Sequence, residues 1–234
     1  GITPGTSYLW DFGAGANPAT ATDEGPHNVT YTTAGMKTVQ LTVNNGLVDV
    51  LVKTDYITVH AIPVATVESA DRCGEGSVDF TAIVTEGDSV EFSSDGGSTV
   101  ISTDNDAPFV YSTILSESSS LQIWARALNT QTGCMGTWDS SAYAYSWPSP
   151  VTEKILSAHT GVFPEGYVDV VCYGKTDALY YVNGDPLATY NWQIPELGIT
   201  VNDTSAIEID WTVAGGDYTL EVVKVSADGC PGNV

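Results

Sequence analysis

Residues 38–43, Thr-Val-Gln-Leu-Thr-Val, alternate strictly between polar and apolar side chains, and earlier in the chain Tyr8, Trp10 and Phe12 alternate with polar or small residues. A period of two puts one face of a strand in a core and the other in water. Between these strands lie Gly13, Gly15, Asn17, Pro18, Gly25 and Pro26, the chemistry of a long loop. Thr30-Tyr31 and a turn at Gly35 then lead into the second strand. The pattern recurs. Val78, Phe80 and Ala82 alternate inward, Ser89 to Ser93 and Tyr111 to Ile114 read as strands, and Leu121, Ile123, Ala125 and Ala127 form one face of another. Ala142 to Tyr145, Tyr167 to Val171, Tyr190 to Ile194, Ala206 to Trp211 and Tyr218 to Val222 follow. No stretch shows a helical repeat, so the chain is expected to be all-β, built from sandwiches.

Trp10-Asp11-Phe12-Gly13-Ala14-Gly15, followed by Thr30-Tyr31, Gly35 and Thr38–Val43, resembles the signature of the PKD domain, an immunoglobulin-like β-sandwich. The resemblance covers about residues 6–60. It departs at Ala14, where the family carries an acid, and in the nine residues ahead of Trp10, where the family has its first strands. It implies a module over 1–62 that lacks those strands and exposes sheet edges. Asn45-Gly46 suits a type I′ hairpin, with strands Leu47 to Val52 and Tyr56 to His60 after it, and Ile62-Pro63 marks a boundary.

A second module is expected over 63–150, closing in the stiff linker Trp147-Pro148-Ser149-Pro150. Arg72-Cys73-Gly74, Gly76, Val78 and the strand leading through Asn129 and Thr132 to Gly133-Cys134 resemble an immunoglobulin-like module of proteins exported by the type IX secretion system of Bacteroidota. Where that family has a Trp-Tyr pair, this chain has Val90-Glu91-Phe92-Ser93. Over 151–234 the strand around Trp192 and the turn Gly215-Gly216-Asp217 parallel the first module by pattern, and the stretch resembles a divergent PKD-type module. Asp228-Gly229-Cys230-Pro231-Gly232 is similar to segments of the same class of secreted proteins. The sorting domain those proteins carry is absent, and with no signal peptide the chain reads as a piece of a longer one.

The chain has 234 residues, 29 acids against 7 bases and a net charge of -22. That balance opposes binding to nucleic acid or anionic lipid, and no apolar run is long enough to insert into a membrane. Cysteines at 73, 134, 172 and 230 fall into pairs with separations of 61 and 58. One disulfide per module, Cys73 with Cys134 and Cys172 with Cys230, is the expectation, with export as its corollary. CxxC spacing is absent, which argues against zinc.

Catalytic chemistry finds little support. His27, His60 and His159 fall in different regions, read as surface or strand-end residues, and stand beside no nucleophile motif. Asp104-Asn105-Asp106 places oxygen ligands in a loop and is the calcium candidate, with Asp11 and Asp23 behind it. No other cofactor is expected. Period two puts Trp124 and Arg126 on one outer face, which is either a binding surface, an Arg stacked on an indole, or a face covered by a neighbouring module. Asp88-Ser89-Val90 matches the O-glycosylation sequon of Bacteroidota at Ser89, while Asn28-Val29-Thr30 and Asn202-Asp203-Thr204 match N-glycosylation sequons.

The resemblances imply a non-catalytic extracellular or cell-surface protein, outer-membrane-associated and of the gliding-motility adhesin type. Such a repeat protein is an adhesin or filament stalk that holds a binding region away from the cell. Its expected partners are surface glycans or proteins, neighbouring modules of the same chain and the secretion machinery. The alternative is a set of spacer or carbohydrate-binding modules beside the catalytic domain of a secreted polysaccharidase or peptidase.

Overall fold

The structure, a computed structural model, describes residues 6–138, 140–158, 161–162 and 170–232. Apart from a three-residue 3-10 turn at Pro195–Leu197, every regular element among the described residues is a strand. The described chain is all-β. Internal contacts divide it into two compact units, 1–67 with 81–110 and 123–141, and 68–80 with 111–122 and 142–234.

The tryptophan strand is β1 (Ser7–Asp11). Short pieces β2 (Ala16–Asn17), β3 (Thr20–Ala21) and β4 (Thr30–Tyr31) follow, then the long hairpin of β5 (Gly35–Asn44) and β6 (Val48–Val59). The sheet order is β3-β1-β5-β6, and β2 pairs with β4 apart from it. Trp10 stands opposite Leu41, and Leu41 opposite Leu51. Two glycines that follow the tryptophan strand have a steric reason. Gly13 and Gly15 have φ of 80° and 78°, and a Cβ would fall 2.6 Å from the Thr38 carbonyl oxygen and 2.5 Å from Thr33 Oγ1 respectively. Phe12 beside them is buried, and the Tyr31 hydroxyl donates to its carbonyl at 2.9 Å.

The hairpin differs from expectation at its tip. Its loop is Asn45–Leu47, and only Gly46 there has positive φ, so the turn is not type I′. The Asn44 and Asn45 side chains accept from the amides of Gly46 and Leu47 at 3.1 and 3.4 Å, which fixes a three-residue loop. The two strands expected after it are one. β6 runs through a kink at Asp55, whose φ is 51° and whose amide donates to Thr38 Oγ1.

The middle stretch contains β7 (Val64–Ser69), β8 (Arg72–Cys73), β9 (Gly76–Thr85), β10 (Ser89–Ser93), β11 (Ser102–Asp104), β12 (Phe109–Leu115), β13 (Ser120–Asn129), β14 (Cys134–Met135) and β15 (Ser140–Trp147). One sheet runs β11-β10-β13-β15-β8, with β14 beside β13; another runs β12-β9-β7. The expected inward sets hold apart from Leu121, which is only half-buried at the start of β13. Val78, Phe80 and Ala82 are buried on β9, and Ile123, Ala125 and Ala127 on β13.

The last stretch contains β16 (Leu156–Ser157), β17 (Gly161–Val162), β18 (Lys175–Tyr181), β19 (Thr189–Ile194), β20 (Ile199–Val201), β21 (Ala206–Trp211) and β22 (Glu221–Val225). Sheet β17-β16-β18-β21 and sheet β20-β19-β22 share a core of Ala178, Tyr180, Val182, Tyr190, Trp192, Ile194, Ile207, Ile209 and Val222. Trp192 is fully buried, and its Nε1 donates to the Thr204 carbonyl at 2.8 Å. The strand expected at 167–171 lies outside the described residues over 167–169, and Val170 and Val171 are not strand. Tyr218–Leu220 is also irregular, with the strand starting at Glu221. There the Thr219 amide and hydroxyl donate to Glu196 rather than to a neighbouring strand.

Trp192 anchors this core from both directions, through its ring and its N–H. Trp192→Ala is therefore expected to destabilise by about 3–5 kcal/mol, as buried aromatic truncations do, measurable as a drop in the denaturant midpoint at unchanged slope.

Candidate binding surface

The outward face of β13 carries Trp124 and Arg126 as the alternation predicts, but the arginine is already engaged. Its Nε and Nη2 lie 2.7 and 2.6 Å from Glu91 Oε2, the residue directly opposite on β10. Its guanidinium carbon stands 4.8 Å above the ring of Trp138, not Trp124. Trp138 can lie there because Gly97 leaves room; a Cβ at 97 would enter the indole. Trp124, opposite Ser93, is half-buried. Of the readings open for this pair, stacking of Arg126 on an indole fits, with a different tryptophan.

The calcium candidate Asp104-Asn105-Asp106 is a capped loop. Asp104 Oδ1 accepts from the Asp106 amide at 3.2 Å, and Oδ2 from the Val110 amide at 2.9 Å, while Asn105 and Asp106 are exposed. Asp11 Oδ1 similarly accepts from the Gly13 amide. Among the described residues no group of three or more His, Cys, Asp or Glu is placed to hold a metal ion. Ser89 corrects the O-glycosylation expectation. Its side chain is buried inside β10, and its hydroxyl donates to the Asp104 carbonyl at 3.2 Å, so the folded chain offers no room for a sugar there. His27 is not a surface residue either. Its ring lies edge-on to Trp10 and Phe12 at 5.4 and 5.5 Å, with Nδ1 3.7 Å from Asp23 Oδ1. His60 is exposed just past β6, and His159 lies outside the described residues.

The cysteines pair differently from expectation. Cys73 bonds Cys230 with Cα atoms 5.4 Å apart, leaving Cys134 half-buried and Cys172 exposed as free thiols. The reason is position along β13. Cys134 sits in β14 opposite Asn129, whereas β8 lies beside the Ser146–Trp147 end of β15, where Ser146 bonds Ser119. Those are the two ends of a ten-residue strand, about 30 Å apart, and a disulfide spans Cα separations of only about 4.4–6.8 Å. Cys230 reaches Cys73 because its own segment folds back. Gly232 donates to the Lys224 carbonyl and lies so close to the Pro150 carbonyl that a side chain would not fit.

The segment 147–153 is held at Trp147, Ser149 and Glu153, while Val151 between them is exposed. The Gly74 amide donates to the Trp147 carbonyl, the Ser149 amide donates to Glu117, and Lys224 Nζ lies 3.2 Å from Asp185 and 3.9 Å from Glu153. The hydrogen bond to Asp185 raises the Lys224 pKa. The Leu187 amide, followed by Lys224, lowers that of Asp185.

A surface the sequence reading missed lies on β15. Tyr143, Tyr145 and Trp147 occupy alternate positions of one outward face, and their rings run near-parallel, with centroids 6.1 and 5.6 Å apart and planes within 17° and 20°. Tyr143 and Tyr145 are 52% and 40% exposed. Asp71 fixes the row, accepting from the Tyr145 amide at 2.9 Å and the Trp147 Nε1 at 3.2 Å, and the Ser69 hydroxyl donates to the Tyr143 carbonyl. The signal was present in Tyr143-Ala144-Tyr145-Ser146-Trp147, but reading Trp147 as linker hid its third member. Rings held by backbone strands and a carboxylate offer flat apolar area at little entropic cost.

No family model matches the chain, and no curated protein matches it. Solved structures that it is similar to include fibronectin(III)-like modules of Clostridium thermocellum CbhA, at 18% identity over 63% of this chain and 81% of that one, with a TM-score of 0.31. The FN1-FN3 domains of chicken CNTN1 match at 11% identity over 97% and 85%, with a TM-score of 0.41. Titin domains I67-I69 in an E-to-A mutated variant match at 16% over 98% and 87%, with a TM-score of 0.34. All three are fibronectin-like or Ig modules.

Acids that cap loops give the fold a pH dependence. Asp95 accepts from the Ser93 hydroxyl at 2.7 Å and the Thr99 amide at 2.8 Å, and these bonds, the hydroxyl's foremost, lower its pKa from 3.8 to about 2. Because the folded value is depressed, its contribution is complete above the ordinary value and is lost as pH falls towards the folded one. Thermal melts are expected to show stability falling between about pH 4 and pH 2, with a shallower fall in Asp95→Asn.

Proposed function

We propose that the chain is a non-catalytic part of a repeat-containing bacterial surface protein, an adhesin or filament stalk, with modules over 1–62, 63–150 and 151–234. The observation that carries this reading is the clamp at 147–153, where the Cys73–Cys230 disulfide, the Lys224 ion pairs and the Glu117 cap hold a connection that a flexible linker would leave loose. A disulfide closing so long a loop contributes about 5 kcal/mol in the chain-entropy model and belongs to an oxidising, exported environment. The acidic balance supports a soluble, self-repelling surface. Export by a type IX system and a Bacteroidota source are the finer form of the reading and rest on the sequence resemblances. The test is antibody labelling of intact, unpermeabilised cells that make the parent chain. Surface labelling on a long chain of further sandwiches is expected; label only after permeabilisation, or a hydrolase domain beside these residues, would refute it.

The aromatic row favours a second reading, that the chain binds sugars as an accessory module. In affinity electrophoresis against soluble neutral polysaccharides, this reading expects retardation that is lost in Tyr145→Ala at unchanged melting temperature. A melting temperature that drops with the substitution would mark the row as packing, and absence of retardation across the panel would remove the reading.

A further inference from the structure

β6 is the last strand of its sheet, and its outer edge has no strand partner among the described residues. It is also exposed along almost all its length, including Val48, Val50, Leu51 and Val52. A long exposed apolar edge is a template for another strand. We propose that its occupant is a second copy of this chain, paired antiparallel with Leu51 on the two-fold axis.

The charges of the strand select that register. With Leu51 opposite Leu51, Asp49 faces Lys53 of the second copy and Lys53 faces its Asp49, so the axis generates two cross-strand ion pairs. Val50 faces Val52 twice, and Val48 faces Thr54. The faces agree as well. Through β5, Asp49, Leu51 and Lys53 share the side that carries Tyr8, Trp10, Leu41 and Val43, whereas Val50 lines up with Thr42 and Leu9 on the other. Facing residues in an antiparallel pair always share a side, so the joined sheet keeps both faces consistent.

Neighbouring registers fail on charge or backbone. With Val52 on the axis, Asp49 faces Asp55, like charge against like. A slip to an axis between residues sets Lys53 against Val50 or Val48 and Asp49 against Thr54 or Val52, so neither charge meets an opposite one. With Thr54 on the axis, Lys53 meets Asp55, but the ladder must then run through Asp55, whose φ of 51° kinks the strand. A lysine on an exposed edge ordinarily discourages pairing with foreign strands. Here Asp49, at the matching offset, makes the same residue attractive to a copy of itself.

Sedimentation velocity on the full 234-residue chain across a range of concentrations tests this, with each variant's melting temperature measured alongside. The wild type is expected to dimerise. Lys53→Asp and Asp49→Lys are each expected to weaken dimerisation about tenfold or more, through two lost pairs and new repulsion. The double exchange D49K/K53D is expected to restore it. All these residues are exposed, so melting temperatures should hold. A chain that stays monomeric at every concentration overturns the proposal. It is equally overturned if the double exchange fails to rescue, or if K53D/D55K rescues instead, which would place the axis at Thr54.

Discussion

A strand in water must cover one face and pair, blunt or protect both edges, and the features of this chain follow from how each strand meets those conditions. β19 meets all of them. Its inward residues Tyr190, Trp192 and Ile194 are buried, and β20 and β22 flank it. β10 is buried even at its polar positions, Ser89 and Ser93, whose hydroxyls bond the Asp104 carbonyl and Asp95. β6 meets them least, since it pairs on one side only and leaves apolar side chains in solvent. The chain is thus best covered around Trp192 and least covered at the Val48–Thr54 edge.

The acidic composition has a structural use that net charge alone conceals. Asp11, Asp88, Asp95, Asp104 and Asp185 each accept from backbone amides within loops or at strand ends. A chain built of short strands has many turns, and each turn leaves amides that no ladder satisfies. Carboxylates placed at these sites answer that need, and Asp104 in the 104–106 cluster is one of them.

Where period and turn chemistry decide, the sequence was legible. The inward sets on β9 and β13 and the strand at 89–93 follow from alternation, which is local. What failed was non-local. Similar cysteine separations say nothing about which end of a sheet each residue occupies, and β14 and β8 lie by opposite ends of β13. Arg126 chose Trp138 over Trp124 because a loop residue seated on Gly97 reaches over the strand, a geometry no period encodes. Trp147 was assigned to a linker because prolines follow it, although the alternation from Tyr143 continues through it. Asn45-Gly46 carried a hairpin signal that was right about the hairpin and wrong about the turn, since neighbouring asparagine side chains captured the amides.

The Cys73–Cys230 bond also fixes how the chain transmits tension. A pull applied along the polypeptide crosses from residue 73 to residue 230 through sulfur, so the strands between them lie off the load path and stay folded whatever the covalent bond can bear. The segments outside that span, including the hairpin of β5 and β6, take the load instead. The bond spans 157 positions, so roughly 500 Å of potential extension is held in reserve. Reduction of a single disulfide would hand that slack to the applied force, making the reach of the chain a function of the redox state around it.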